Sequence, residues 1–300
     1  MKRQRFSLVC ITLLILLILS AGVAMGAKYT LRAAHYFAED FAWQVGLEKF
    51  AERAKELTNG DVEIRIFGGG VLGGEDDYFQ NMMEGVLDFG IVAPGSAGGF
   101  SKQVRLLGIP FLWESREHWA RALDGEVGEI MRQRIYEETD VIALEYWGGS
   151  ERHIISRVGP IWTIADLKNF KLRVMPDPAQ VQSFESLGCS PAIVAYLETY
   201  SALQAGVIDG MENEAWTAFA MKFYEPAPHV SLSSHDITSR PLFMSGKTYR
   251  KLPEEYQEAI KKAAREATVF VRELELAQNQ IAIRRMIEDF NVKVNHVQRG

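Results

Sequence analysis

The chain has 300 residues, 47% hydrophobic and 24% charged, with a mean hydropathy of −0.08, which excludes a disordered or fibrous protein. A net charge of −6 and a pI near 5.6 exclude a basic surface built for nucleic acid or anionic lipid. Two cysteines are too few for a disulfide-stapled scaffold or a thiolate metal cluster.

The first segment reads as an export signal over 1–26. Lys2, Arg3 and Arg5 precede an apolar run from Phe6 to Leu19, and small residues follow up to Gly26. That run is short of the ~20 residues of a spanning helix, so cleavage after Gly26 is expected. Three positive charges leave with the signal, moving the net charge from −6 to −9. Cys10 leaves too, so Cys189 stands alone and no internal disulfide forms. Its setting, between Gly188 and Ser190, suits a small core residue better than a nucleophile. An exported protein with a single cysteine fits a bacterial periplasm.

Strand and helix then alternate. Tyr29 to Ala34 is a short strand, and Trp43 to Leu57 carries apolar residues at helical spacing before Asn59-Gly60. Asp61 to Phe67 alternates strictly and is a strand. A glycine-rich loop leads into a helix over 75–85, and Leu87 to Ala93 is a third strand. Repeated β-α-β units predict an α/β fold, with a mainly parallel sheet covered by helices on both faces. Val141 to Trp147 is long enough to cross to a second unit of the same kind, which starts near 150. There, strands are expected at Leu172 to Met175, Ala192 to Ala195 and Val207 to Glu212, and helices at Pro178 to Leu187 and Thr199 to Ala205. From Pro253 to Phe290 no glycine and no second proline interrupts a run of good helix formers, predicting one helix of roughly 50 Å laid across both units.

Gly68-Gly69-Gly70-Val71-Leu72-Gly73 satisfies the glycine pattern of dinucleotide sites literally. Its electrostatics do not suit a pyrophosphate: Glu75, Asp76 and Asp77 occupy the helix N-terminus where the diphosphate would sit. A flexible loop presenting Glu75 or Asp76 to ligand hydroxyls is the better reading. The six histidines are scattered without metal-ligand spacing; His229 and His235, six apart, come nearest. Ser96 lacks the surroundings of a hydrolase elbow. No cofactor, metal site or catalytic constellation is expected.

Four segments of the second unit belong together: Trp147-Gly-Gly-Ser-Glu-Arg-His153, Asp166-Leu-Lys-Asn-Phe-Lys-Leu-Arg-Val-Met-Pro176, Glu198-Thr-Tyr-Ser-Ala-Leu-Gln-Ala-Gly206, and Val207-Ile-Asp-Gly-Met-Glu-Asn213 followed by Lys222-Phe-Tyr-Glu225. Leu252-Pro-Glu-Glu-Tyr-Gln257 then opens the long helix. In their order and spacing, over about residues 29 to 293, these resemble the extracytoplasmic solute-binding subunit of a tripartite ATP-independent periplasmic (TRAP) transporter, of the C4-dicarboxylate-binding type.

The resemblance implies a two-lobed, Venus-flytrap α/β protein with a long helix bracing both lobes. It implies lobe I over 27–149 plus about 238–277 and lobe II over 150–237 plus about 278–300. It implies a carboxylate ligand clamped by Arg173, whose planar guanidinium offers two parallel donors. Arg152 matches a second anion-binding position, Asn213 a ligand hydrogen-bonding position, and Tyr196 an aromatic wall; Trp216 is a further wall. On the first lobe the ligand positions map to His35 and Glu75. Ala93-Pro94 stand where sialic-acid binders carry a carboxylate, which argues for a sugar acid or a hydroxy or keto acid instead.

The implied partners are that small acid and the small and large membrane permease subunits, driven by a sodium gradient. The subunit itself is expected to be a soluble monomer after signal cleavage, and not an enzyme. The alternatives are an exported α/β enzyme using Glu75 and His35 as acid and base, or a ligand sensor for a receptor kinase. Family members usually continue for another strand or for short helices beyond the position of Gly300, so the resemblance predicts a short variant or a truncated C-terminus.

Overall fold

The computed structural model describes residues 26–298. The expected export signal, apart from Gly26, lies outside the described residues, and so does Cys10. No described helix is long and apolar enough to cross a membrane.

The first half opens with β1 (Tyr29–Ala34), α1 (Ala42–Leu57), β2 (Val62–Phe67), α2 (Glu75–Glu84) and β3 (Phe89–Ile91). The local signals work as read. Asn59 and Gly60 take positive φ after α1. The Gly74 amide donates to the Asp77 carboxylate at the start of α2, and Gly85 ends that helix in the left-handed conformation. Four helices follow that the periodicity did not reveal: α3 (Pro94–Ala97), α4 (Lys102–Leu106), α5 (Arg116–Leu123) and α6 (Glu126–Thr139).

Next come β4 (Val141–Ser156), β5 (Leu172–Val174), α7 (Pro178–Ser186), β6 (Ala192–Ile193), α8 (Thr199–Gln204), β7 (Gly210–Glu214) and α9 (Ala215–Ala220). The chain closes with β8 (His229–Ser245), α10 (Gly246–Tyr249), α11 (Glu254–Phe290) and β9 (Lys293–His296). At 1.5 Å per residue the 37 residues of α11 span about 55 Å.

The nine described strands form one sheet in the order β2-β1-β3-β8-β4-β7-β5-β6, with β9 on the end of β8. The expectation of a mainly parallel sheet needs correction. The pairs β1–β2, β1–β3, β5–β6, β5–β7 and β8–β9 are parallel, but β3–β8, β4–β7 and β4–β8 are antiparallel. The cause is β8, a 17-residue strand that runs back alongside the 16-residue β4 and returns the chain from the second half to the first. Pro241 within β8 works against reading a strand there.

Where the two long strands cross between the halves, their register shifts between Gly148 and Glu151. Gly148 has φ +120°, and a Cβ on it would stand 2.1 Å from the Thr238 carbonyl oxygen. Helices cover both faces of the sheet, which makes the molecule a two-lobed α/β protein. On one face of the first half, Phe50, Trp147, Leu242, Ile260 and Val271 pack together; on the other, Tyr78, Phe79, Trp119 and Phe243 do so. The second half has its own cores, around Met211, Phe223 and Met286 and around Ile154, Leu172 and Phe184.

The long helix contributes to a core in each half. At the crossing it is stapled by polar groups. Gln278 donates to the Asp40 carbonyl at 2.6 Å, and Asn279 donates to the Ser150 hydroxyl at 2.9 Å while accepting from the Trp216 amide at 2.9 Å.

Candidate ligand-binding cleft

Between the halves lies a cleft of about 450 Å³. One wall is built from the C-terminal side of β1 (Tyr36), the N-terminus of α2 (Glu75, Asp76), Ser96 and the middle of β8 (Arg240). The other comes from β4 (Arg152), β5 and the turn after it (Arg173, Met175), the turn after β6 (Tyr196) and β7 (Asn213). The tyrosine rings meet across the gap, with Tyr36 and Tyr196 centroids 4.8 Å apart. The cleft thus gathers at strand ends and at the crossing, where side chains from separate elements converge.

Arg173 is 4% exposed. Its Nε donates to the Val194 carbonyl at 2.9 Å, and among the described residues it forms no ion pair. Burial, and then the neighbouring Arg152, push its guanidinium down from the usual arginine range against the pull of Glu212. It is a desolvated cation without a counter-ion of its own, facing an open space.

Arg152 is equally buried but fully matched. Its Nε and Nη2 donate to the two Glu212 oxygens at 2.6 and 2.9 Å, and Nη1 stands 3.2 Å from Glu214. Burial would raise the Glu212 carboxyl, but Arg152 and His235 overcome it and hold it down at about 2. Gln180 donates to the same carboxylate at 3.0 Å, and Thr238 donates to Glu214 at 2.7 Å.

The opposite wall holds a second matched pair. The Glu75 Oε1 accepts from Arg240 at 2.7 Å, and its Oε2 accepts from the Ser96 hydroxyl at 2.9 Å. Burial pushes the Glu75 carboxyl up, while Arg240 and Ser96 pull it back. Arg240 also lies over the Phe37 ring, 5.0 Å from its centroid. Tyr196 leaves its buried hydroxyl without a hydrogen-bond partner among the described residues, and burial pushes that phenol well above the usual tyrosine range.

Of the seven residues singled out from the sequence, Arg173, Arg152, Asn213, Tyr196 and Glu75 line this cleft. His35 and Trp216 do not. The His35 ring accepts from the Phe37 amide at 3.2 Å and meets Gln44 of α1 at 2.5 Å, outside the cleft lining. Trp216 packs against Phe41 and Phe219 beside the long helix. Tyr36 and Arg240 were missed. Tyr36 was within reach, because side chains alternate along extended backbone and the neighbour of an inward His35 faces the other way. Arg240 was not, because it stands on the strand whose proline disguised it.

A larger groove of about 780 Å³ runs between α11, α5 and β4. Its arginines are met by carboxylates: Arg272 by Asp124 at 2.7 Å, Arg132 by Glu129 at 2.6 Å and Glu145 at 3.8 Å, and Arg116 by Glu273 at 3.8 Å. It offers no unmatched charge comparable to Arg173.

A family model described as bacterial extracellular solute-binding protein, family 7, matches residues 33–299. A solute-binding protein from Sulfitobacter sp. NAS-14.1 is 38% identical over 263 residues, covering 87% of this chain and 79% of that one. Among solved structures, a TRAP periplasmic solute-binding protein from the same organism, with bound α-D-taluronate, superposes with a TM-score of 0.86. It is 37% identical, with 90% of this chain and 88% of that chain covered. Another, from Roseobacter denitrificans with bound L-galactonate, gives a TM-score of 0.85 at 30% identity, with 91% and 90% covered.

Proposed function

The chain belongs to the bacterial extracellular solute-binding protein family 7, as a TRAP-transporter extracytoplasmic solute-binding subunit, and from that premise we propose that it captures a sugar acid through an arginine–carboxylate clamp and delivers it to the membrane permease. The observation that carries this reading is Arg173, a buried guanidinium with no counter-ion among the described residues, lining a cleft between two lobes. A ligand carboxylate supplies the missing charge and two acceptors matched to the guanidinium fork. Arg152 and Asn213 stand beside it, and Tyr196 provides an aromatic face. Lobe closure dries the cleft, so the clamp strengthens as the ligand is enclosed.

Lobe I comprises 27–149 plus about 238–277, and lobe II 150–237 plus about 278–300; the register shift at Gly148 supports that boundary. The signal over 1–26 is removed on export, and the subunit works as a monomer in the periplasm. Sugar acids, uronates or aldonates, are favoured because two similar structures hold α-D-taluronate and L-galactonate and because the first-lobe wall is polar. The family's members are binding proteins. An enzyme built on Glu75 and His35 is disfavoured, because His35 lies outside the cleft lining and Glu75 is engaged by Arg240.

A thermal-shift screen against hexonates, hexuronates and short dicarboxylates tests this reading. A true ligand at 100 times its dissociation constant adds about 2.7 kcal/mol of stability, and mass spectrometry of the denatured complex should recover it unchanged. A response to none of these acids, or turnover of the responding acid, overturns the proposal.

A further inference from the structure

The cleft holds three buried guanidiniums, and two are already neutralised. Arg152 is matched by Glu212 and Glu214, and Arg240 by Glu75, with Glu214 a further 4.0 Å away. Both Glu75 oxygens accept hydrogen bonds, from Arg240 and from Ser96, which is the pattern of an ionised carboxylate. Asp76, exposed beside it, adds a second negative charge at the same wall. Among the described residues, the space therefore contains one guanidinium without an ion-pair partner, on the second-lobe wall, and faces it across the cleft with Glu75, Asp76 and the already engaged Arg240.

We propose that the Glu75–Arg240 pair acts as a charge gate, making this a site for one carboxylate and several hydroxyls and rejecting acids that carry a second carboxylate. The inference rests on the sugar-acid reading and sharpens it to monocarboxylate sugar acids. A ligand hydroxyl at the first-lobe wall donates to Glu75. A ligand carboxylate there meets Glu75 and Asp76 instead, with Arg240 already engaged. Selectivity then arises from repulsion built against the wrong ligand as well as from attraction to the right one. Like charges brought together in a desolvated site repel strongly.

Isothermal titration with matched pairs tests this: galactonate against galactarate, and gluconate against glucarate, which differ only in a hydroxymethyl or carboxylate at C6. The wild-type protein should bind the better monoacid about a hundredfold more tightly than its diacid. Glu75→Gln should narrow that ratio to about tenfold or less, chiefly by improving diacid binding, as Arg240 gains a free side. Glu75→Asp, which keeps the charge, should preserve the rejection.

Wild-type binding of a diacid within about threefold of its monoacid, or an unchanged ratio in Glu75→Gln, overturns the gate while leaving the sugar-acid reading intact. Failure of every hexonate and hexuronate to bind overturns both. If Glu75→Gln does not fold, the wild-type ratio and Glu75→Asp decide the matter.

Discussion

Arg152 and Arg173 flank one strand, β7, standing level with Glu214 and Met211 on its two sides, and each is 4% exposed. Yet Arg152 is locked between two carboxylates while Arg173 pairs with none among the described residues. The first is tied into the framework, and the second is the cation we propose for the ligand carboxylate. Substitution should separate the two roles. Arg173→Met removes an uncompensated buried charge, so it should stabilise the ligand-free protein by on the order of 1 kcal/mol while abolishing the ligand-induced shift in melting temperature. Arg152→Met leaves Glu212 and Glu214 buried without their partner and should cost about 3–5 kcal/mol. Differential scanning calorimetry with and without sugar acid measures both. A loss of stability in Arg173→Met as large as that in Arg152→Met contradicts the distinction.

Tyr196 offers a finer test. Its hydroxyl is buried and unpartnered, so Tyr196→Phe removes a desolvated polar group and should leave the ligand-free protein at least as stable. If that hydroxyl meets the ligand, affinity falls about tenfold in the same variant. Tyr196→Ala should weaken binding of a ring-form uronate more than that of a short linear acid. Equal losses for both argue against a stacking role.

Glu275 sits on α11 at the lobe crossing, 3% exposed, where Ser150 and Arg116 only partly offset its burial. Burial, and then the negative Glu214, push its carboxyl up to about 8. The folded chain therefore keeps this proton up to about pH 8, whereas the unfolded chain releases it near 4.5. Across that interval the unfolded state binds fewer protons, so stability declines as pH rises, by at most about 1.4 kcal/mol per unit. Glu275→Gln should remove this dependence. It should stabilise the protein clearly at pH 7.5 and hardly at pH 4, as read from melting curves over that range. An equal gain at both pH values contradicts an ionisation origin.

Gly148 is the tightest point between the crossing strands. With φ at +120° and the Thr238 carbonyl 2.1 Å from a prospective Cβ, Gly148→Ala forces the strands apart. The expected cost is about 2 kcal/mol or more. The neighbouring Gly149→Ala, also at positive φ, should be less severe, because its nearest contact is the side chain of Arg116 at 3.0 Å. Urea denaturation of the two variants compares them; equal stability would mean the crossing tolerates displacement.

Local chemistry carried most of the elements. The Tyr29–Ala34 strand, the helix stopped at Asn59-Gly60 and the uninterrupted run after Pro253 are written in periodicity and punctuation, which neighbouring residues decide alone. Five cleft residues were legible as well, four through a resemblance and Glu75 also through its place on a glycine turn. Tertiary structure decided the rest, because pairing is a property of distance in space. The 17-residue return strand exists only against β4, and through it Arg240 reaches Glu75, 165 positions away. Likewise no window of sequence records that Glu212 neutralises Arg152, 60 positions off, while Arg173 goes without. Which guanidinium stays unpaired depends on long-range burial and charge, so only the assembled fold distinguishes Arg173 from Arg152.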